Sequence, residues 1–333
     1  TAALGPLTQR PTSIERYDPM RPLMLVTLLA TSSLALAACT NAGQASTSTT
    51  TAPAAGVAAT STTAGSAAGK AALDPAVAAL VPADIKAKGQ LSFAMDASYA
   101  PFEYFDTDNK TIIGFDADLS QAIGTTMGIK VNDVNAAFDS ILIGLTSQKY
   151  DVGMSAFSAS AERAKVVDFV TYGAGGSGIA VPKGNPKALS MDPMTLCGRT
   201  IAAQKGTIQG LDYLPKFSAD CTAAGKGAIT ADLYPAQTDA NLAVTSGRAD
   251  AVMADSVSLA LQAKATGTLE LAAGPDYNPT NVAVAVPNDS PLAAPIGAAL
   301  KALDKNGTLA AIMAKWGLPT QFATQAKIGE IIK

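Results

Sequence analysis

Residues 150–165, with the sequence YDVGMSAFSASAERAK, combine the residue types that hold an anion. Residues 152–154 are expected to form a short buried strand, from which Ser155 and Ser158 lead into a helix whose first turn carries Arg163. Hydroxyl groups, the free N–H groups of a helix N-terminus and a guanidinium all favour negative charge. The segment therefore predicts a carboxylate site, although an ordinary strand-to-helix turn with a solvated arginine fits the same residues.

Composition excludes several other kinds of chemistry. The chain has no histidine, which rules out zinc sites of the imidazole type and Ser-His-Asp or Cys-His catalysis. A net charge of -3 without a long basic run argues against nucleic acid as a partner. The 333 residues suffice for one or two domains with sizeable cores.

The N-terminal region is typical of a secreted lipoprotein. Residues 20–38 have a basic residue, an apolar run too short for a membrane span and then small residues, as in a signal peptide. The sequence LAAC ending at Cys39 looks like a bacterial lipobox, although a chance apolar segment ending in cysteine is the alternative. We expect residues 1–38 to be an upstream extension and signal peptide, and lipid on Cys39 to anchor the protein outside the cell membrane.

Residues 39–72 are predicted to tether the body to that anchor. Positions 40–69 contain mainly Thr, Ser, Ala and Gly, which cannot bury enough apolar surface to offset the entropy of ordering. Beyond Cys39 the only cysteines are Cys197 and Cys221, and an oxidising exterior permits them to pair. We therefore predict a disulfide between them.

The body begins with patterns typical of parallel βαβ units. The sequence LSFAMD alternates as a strand does, and GFDADLSQAIGTTMG places apolar residues on one helical face. A second helix carries Phe138 on its apolar face, and another strand precedes Ser155. Because ligands lie beyond the carboxyl ends of parallel strands, Asp96 and Ser155 are expected to face the same crevice.

The chain also resembles itself. LTSQKYDVGMSA and AVTSGRADAVMAD match at a constant offset of 99 residues, with Asp151 aligned to Asp250 and Ala156 to Asp255. Each copy reads as a helix, a break, an aspartate and a buried strand, although a chance match is possible. The repeat predicts that two halves each direct a strand end at one site, one with hydroxyls and Arg163, the other with a carboxylate.

Two extended segments, SGIAVPKG and NVAVAVPN, are candidates for hinge strands between the halves. The last helices then return to the first half. We predict one lobe from residues 85–181 and 284–333, and a second lobe from residues 182–283.

Seven motifs in order, DASYAPFEY, GFDADL, FDSILIGL, KYDVGMSAFSASAER, QKGT, GRADAVMAD and NGTLAAIMAKWG, resemble the amino-acid class of extracellular solute-binding proteins that feed ABC importers, solute-binding protein family 3. The resemblance covers residues 91–318. It implies an α/β fold of two lobes, with two parallel-rich sheets flanked by helices and joined by two hinge strands that close over one ligand.

The resemblance also implies roles for the charged groups. Arg163 would hold the α-carboxylate of an amino acid, with help from Ser158 and the backbone near Thr207. Asp255 would hold the α-ammonium, assisted by the region of Ser155. One group of each sign is what a bound zwitterion needs.

The remaining predicted ligand residues are less polar. Tyr99 and Phe138 would form apolar walls, and Asp96 would lie near the ligand's side-chain end. Core packing is the alternative for the two aromatics, and a helix or turn cap for Asp96. Ala156 stands where relatives often have a second serine and Ile208 where a hydroxyl is common, so the motifs do not identify the ligand's side chain.

The function implied by these motifs is capture of a free amino acid and its delivery to ABC permease subunits, by a monomer without cofactor, metal or catalysis. The alternatives are an enzyme on the same scaffold, such as a dehydratase using Asp96, Glu103 or Asp255, or a sensor ectodomain. No paired carboxylate motif supports the enzyme, and no signalling module follows in the sequence.

Overall fold

The computed structural model describes residues 70–333, so the predicted signal peptide, Cys39 and nearly all of the tether lie outside the described residues. Within the described part, every helix is too short or too polar to cross a membrane.

The helices of residues 70–333 are α1 Pro75–Leu80, α2 Ala83–Lys88, α3 Phe115–Met127, α4 Phe138–Thr146, α5 Ala161–Ala164, α6 Leu214–Ala223, α7 Gln237–Thr245, α8 Ser256–Thr266, α9 Ala293–Lys305, α10 Thr308–Trp316 and α11 Gln321–Thr324. A 3₁₀ turn at Pro193–Thr195 and a π-helical turn at Gln209–Tyr213 complete them.

The strands are β1 Gln90–Met95, β2 Ser98–Tyr99, β3 Glu103–Phe105, β4 Ile112–Ile113, β5 Lys130–Asn135, β6 Val152–Ser158, β7 Val167–Pro182, β8 Thr200–Gln204, β9 Thr230–Tyr234, β10 Ala251–Asp255, β11 Leu269–Leu271, β12 Tyr277–Pro287 and β13 Ile331–Ile332.

Each lobe is built on three parallel strands bordered by an antiparallel one. The order β5-β1-β6-β12 forms the sheet of the first lobe, and β9-β8-β10-β7 forms that of the second. The buried strands and their flanking helices confirm the predicted α/β class, because parallel strands need helical crossovers. The small antiparallel sheet β2-β3-β4 lies in the first lobe.

Strands β7 and β12 pass from one lobe to the other. The first part of β7 pairs with β12 up to Ser177, and from Ser177 onward β7 pairs with β10. Because β7 has a partner strand on both sides of this change, the two half-sheets form one continuous sheet. The predicted lobe bounds at 181/182 and 283/284 stay a prediction.

The two copies of the sequence repeat occupy equivalent places in the lobes. Helix α7 begins and ends 99 residues after α4, and β10 begins 99 residues after β6. The apolar residues predicted on one face of α3 are buried, namely Leu119, Ala122, Ile123 and Met127. The repeat is therefore a structural unit of helix and strand.

The aligned aspartates have the same structural task in both lobes. Asp151 accepts hydrogen bonds from the N–H of Ser92 at 2.7 Å and its hydroxyl at 2.8 Å, and it forms an ion pair with Lys88. Asp250 accepts from the N–H of Thr200 at 2.9 Å and forms an ion pair with Lys187. Each aspartate thus joins the start of its own strand to the neighbouring parallel strand.

The predicted disulfide is present. Cys197 and Cys221 are bonded, and they connect the loop after the 3₁₀ turn to the buried face of α6 in the second lobe.

Candidate functional site

A cleft lies beyond the carboxyl ends of β6, β8 and β10, between the lobes. Nine of the ten predicted ligand residues line it, and Asp96 does not. Two further residues, Gln204 and Gln209, complete the lining. The full set is Tyr99, Phe138, Ser155, Ala156, Ser158, Arg163, Gln204, Thr207, Ile208, Gln209 and Asp255.

The Arg163 guanidinium is half-buried at one end of the cleft. Its Nη1 group donates to the carbonyl of Ser158 at 3.0 Å, and Nη2 donates to the carbonyl of Gly206 at 3.0 Å. The guanidinium carbon lies 5.4 Å from the ring centre of Phe138 and 5.6 Å from that of Phe157. Neutral carbonyls and ring faces hold the cation in place without neutralising it.

Burial lowers the pKa of Arg163, but a guanidinium stays protonated throughout the physiological range. None of the ion pairs found among residues 70–333 includes Arg163. Its two hydrogen bonds to carbonyls occupy only part of a group with five N–H donors. The site therefore presents a fixed positive charge that an anionic ligand group can pair with.

Asp255 supplies the negative charge from the second lobe. It ends β10 and precedes α8, where its Oδ2 accepts from the Tyr99 hydroxyl at 2.7 Å and its Oδ1 from Nε2 of Gln209 at 3.2 Å. Burial raises the pKa of Asp255, while the Tyr99 hydrogen bond and the charge of Arg163 oppose that rise. In the described residues Asp255, too, has no ion-pair partner.

Asp96 is buried beside the cleft, and its carboxylate is already engaged. Oδ1 accepts from the N–H of Ser98 at 3.1 Å, and Oδ2 accepts from the N–H of Phe138 at 2.8 Å and from Nε2 of Gln204 at 2.9 Å. It thus caps the first turn of α4 and reaches a side chain of the other lobe. Its predicted role near the ligand's side chain stays a prediction.

The two aromatic residues predicted to form the cleft walls line the cleft and also pack inside the protein. Phe138 lines the cleft and also stacks on Phe157, with ring centres 4.8 Å apart. Tyr99 is buried and lines the cleft, and its hydroxyl bonds to the opposite lobe through Asp255. Ala156 and Ile208 add apolar surface, as their departure from the family pattern implied.

Sequence reasoning did not identify Gln204 and Gln209 as lining residues. Gln204 is the last residue of β8, so the rule that placed Asp96 and Ser155 at strand ends applies to it equally. Gln209 begins the π-helical turn after Thr207, and a regular helix pattern gives no signal for that irregularity.

The lobes are in contact around the cleft. Lys205 forms an ion pair with Asp139 at 2.8 Å. Gly206 has a φ of 81°, and a Cβ atom at this position would lie 2.6 Å from the Cβ of Asp139, so only glycine permits this approach. The Gln237 N–H also donates to the hydroxyl of Ser98 at 3.1 Å. The structure therefore represents a closed arrangement.

A cleft between two hinged α/β lobes, with single charges of opposite sign, is the arrangement implied by the sequence motifs. The model of the bacterial extracellular solute-binding proteins, family 3, matches residues 91–319.

The chain belongs to this family.

An individual relative is the arginine-binding protein ArgT of Corynebacterium glutamicum, which is 32% identical over 257 residues, covering 77% of this chain and 83% of the relative. Among solved structures, an ancestral arginine-binding protein bound to arginine is similar with a TM-score of 0.62 and 29% identity, covering 68% of this chain and 98% of that one.

A second similar structure is the ancestral amino acid-binding protein AncCDT-1, a precursor of cyclohexadienyl dehydratase. Its TM-score is 0.62 at 28% identity, and the match covers 70% of this chain and 97% of that one. The predicted two-lobe fold and membership of the solute-binding family are thereby confirmed, and the three relatives are binding proteins by name.

Proposed function

We propose that this solute-binding protein captures a free α-amino acid between its lobes and delivers it to an ABC permease. One observation carries the proposal: Arg163 on the first lobe and Asp255 on the second are partly buried charges of opposite sign, and neither forms an ion pair within residues 70–333. Burying an unpaired charge is costly, and a zwitterion would pair with both groups at once.

The ligand carboxylate would bind Arg163 with help from Ser158 and Thr207. Its ammonium would bind Asp255, with the hydroxyl of Ser155 as a further acceptor. Because the two charges lie on different lobes, the ligand satisfies both only in the closed state. Closure is therefore favoured by the difference in ligand affinity between the open and closed arrangements.

L-arginine is the first amino acid to test. Relatives named for arginine motivate this choice, as does the position of Tyr99 and Phe138 on the cleft wall, where aromatic faces attract a cationic side chain. Asp96 adds negative charge nearby, and its bond to Gln204 could be exchanged for one to the ligand.

A thermal-shift comparison of the purified protein with each common amino acid tests the proposal. A ligand at a thousand times its dissociation constant stabilises the native state by about 4 kcal/mol, so the cognate amino acid should raise the Tm clearly. If no amino acid raises the Tm and calorimetry detects no binding, the proposed function is wrong.

The anchoring part of the proposal rests on Cys39 and the lipobox. Two acyl chains on this cysteine would give stable attachment at the outer face of the cell membrane. Cys39→Ala should therefore release the protein from the membrane fraction. Unchanged partitioning of the variant would contradict a lipid anchor at this residue.

A dehydratase activity is the second candidate. The raised pKa of Asp255 suits a general acid, and AncCDT-1 is a precursor of such an enzyme. Incubation with a cyclohexadienyl acid, followed by mass spectrometry for loss of water, tests this alternative. Turnover abolished by Asp255→Asn would support it, and absence of product would reject it.

A further inference from the structure

Two carboxyl groups meet beneath the floor of the cleft. Glu103 on β3 and Asp116 in the first turn of α3 are both fully buried, and each carboxyl group shifts the pKa of the other. Oε2 of Glu103 and Oδ1 of Asp116 accept no hydrogen bond from any other described group. Two such oxygens of neighbouring carboxyl groups can satisfy each other only if one proton lies between them.

The other oxygen of each carboxyl group holds a residue of the cleft floor. Oε1 of Glu103 accepts from the hydroxyl of Ser155 at 2.5 Å. Oδ2 of Asp116 accepts from the backbone N–H of Ala156 at 2.8 Å and from the hydroxyl of Tyr172 at 2.9 Å. The carboxyl pair is therefore connected to both Ser155 and Ala156, which line the cleft.

The surroundings favour retention of one proton. The ionisable groups that act on the pair are Asp96 directly after β1, Asp133 on β5, Tyr99 on β2 and Tyr172 on β7, none of which is a cation. Burial raises the pKa of Glu103 well above its usual range and that of Asp116 to about 7. Two adjacent buried carboxyl groups without a cation cannot both ionise at neutral pH.

This arrangement fixes which way the floor's polar groups point. The Ser155 hydroxyl has one hydrogen, which it donates to Glu103, and one of its lone pairs accepts from the N–H of Asp96 at 3.1 Å. Ala156 has a φ of 45°, an uncommon value for a residue other than glycine, and its N–H is directed at Asp116. Toward the cleft, Ser155 can therefore offer an acceptor only.

We propose that Glu103 is a positioning residue for ligand selection: by sharing a proton with Asp116 it holds the Ser155 hydroxyl as an acceptor, so that this part of the cleft receives the ammonium group of the ligand. This inference rests on the proposed function. A carboxylate placed here would face oxygen lone pairs, whereas an ammonium finds acceptors on both Ser155 and Asp255. The pair thereby sets the orientation of the amino acid between Asp255 and Arg163.

A selectivity measurement tests the role. The probes are L-arginine and des-amino-arginine, which lacks the ammonium, with affinities measured by calorimetry at pH 7. Glu103→Leu removes the acceptor, which frees the Ser155 hydrogen to turn into the cleft. The preference for L-arginine over the des-amino compound should fall about tenfold, as expected for one hydrogen bond to a charged group.

Two further variants separate positioning from a structural effect. Glu103→Gln supplies an amide oxygen for Ser155 and an amide N–H for Asp116, so it should recover most of the preference that Glu103→Leu loses. In a Ser155→Ala background, Glu103→Leu should cause no further change in preference. Equal weakening of both probes by Glu103→Leu, or the same loss in the Ser155→Ala background, would overturn the proposal.

A measurement without ligand tests for the shared proton. Infrared spectra of the wild-type protein at pH 7 should contain the band of a buried protonated carboxyl group, and Glu103→Gln should weaken it. Absence of this band from the wild type would contradict proton sharing, even if Glu103→Leu failed to fold. If the wild type binds no amino acid, the proposed function fails, and the infrared result still decides whether the pair shares a proton.

Discussion

Strands β6 and β10 occupy equivalent positions in the two lobes, yet they end in different chemistry. At the start of each strand the same residue type is present, and Asp151 and Asp250 both bind the neighbouring strand and a lysine. Toward the other end, the first lobe has Ala156 at the position that corresponds in the repeat to Asp255 of the second lobe.

The two copies of the repeat have the same side chains where these hold the lobe together and different side chains where these face the cleft. In the first lobe the floor residue is apolar, its N–H is held by Asp116, and the cation comes from the following helix. In the second lobe the strand itself supplies the anion. The difference gives one site two unlike ends, which suits a ligand that carries both charges.

The largest expected effect comes from removing the cation. Arg163→Ala should weaken amino-acid binding by roughly a hundredfold to several thousandfold, since stranding a buried ligand carboxylate costs on the order of 3 to 5 kcal/mol. Calorimetry measures the loss. Arg248→Ala is the matched control, because Arg248 also lies over an aromatic ring, that of Tyr234, but does not line the cleft. A change below about threefold for Arg163→Ala would remove it from the site.

The disulfide distinguishes the second lobe from the first. It closes a segment with a sequence separation of 24, and constraint of the unfolded chain by such a loop contributes about 3 kcal/mol. A Cys197→Ser, Cys221→Ser double variant should lose about this much free energy of unfolding in urea. Its ligand affinity, measured where the variant is fully folded, should be unchanged. Equal stability of parent and variant would show that the bond is dispensable for the lobe.

The stability contributed by Asp151 and by Asp250 should depend on pH in the same way, with or without ligand. Burial alone would raise the pKa of Asp151 and Asp250, but hydrogen bonds from their lysines and neighbouring strands outweigh it and lower both pKa values. Their stabilisation is therefore present above the unfolded pKa of about 3.8 and is lost as the pH falls through the lower folded pKa.

Asp151→Asn and Asp250→Asn should each lower the free energy of unfolding by about 1.5 kcal/mol at pH 7. In each variant the free energy of unfolding should then decrease less as the pH falls. Urea unfolding from pH 3 to pH 7 measures both quantities. A clear effect of only one variant would break the equivalence of the two lobe positions.

The smallest expected effect concerns closure. Gly206→Ala should weaken ligand binding about tenfold, because its Cβ would collide with Asp139 of the other lobe. Gly247→Ala is the matched control: its φ is also positive, at 75°, but open space surrounds its Cβ. Both variants should lose about 1 kcal/mol of stability from backbone strain. Equal affinities for the two variants would mean that this contact does not limit closure.

The sequence sufficed for the architecture because strand alternation, helical faces and the repeat are local patterns. It also sufficed for most lining residues, since these follow strand ends and family motifs. It could not show that Asp96 is engaged by Phe138 and Gln204, because that depends on three segments meeting in space. The contact between Glu103 and Asp116 is equally invisible in the sequence, which separates the two by a β-strand and a turn.

The central claim is that Asp255 binds the ammonium of an amino acid whose carboxylate is bound by Arg163. The most direct test measures the affinities of wild type and Asp255→Asn for L-arginine and for des-amino-arginine, which together form a double-mutant cycle. We predict a coupling free energy on the order of 1 to 3 kcal/mol, because only L-arginine brings an ammonium that loses its partner. A coupling indistinguishable from zero would remove Asp255 from the site and contradict the assignment of the ligand as an α-amino acid.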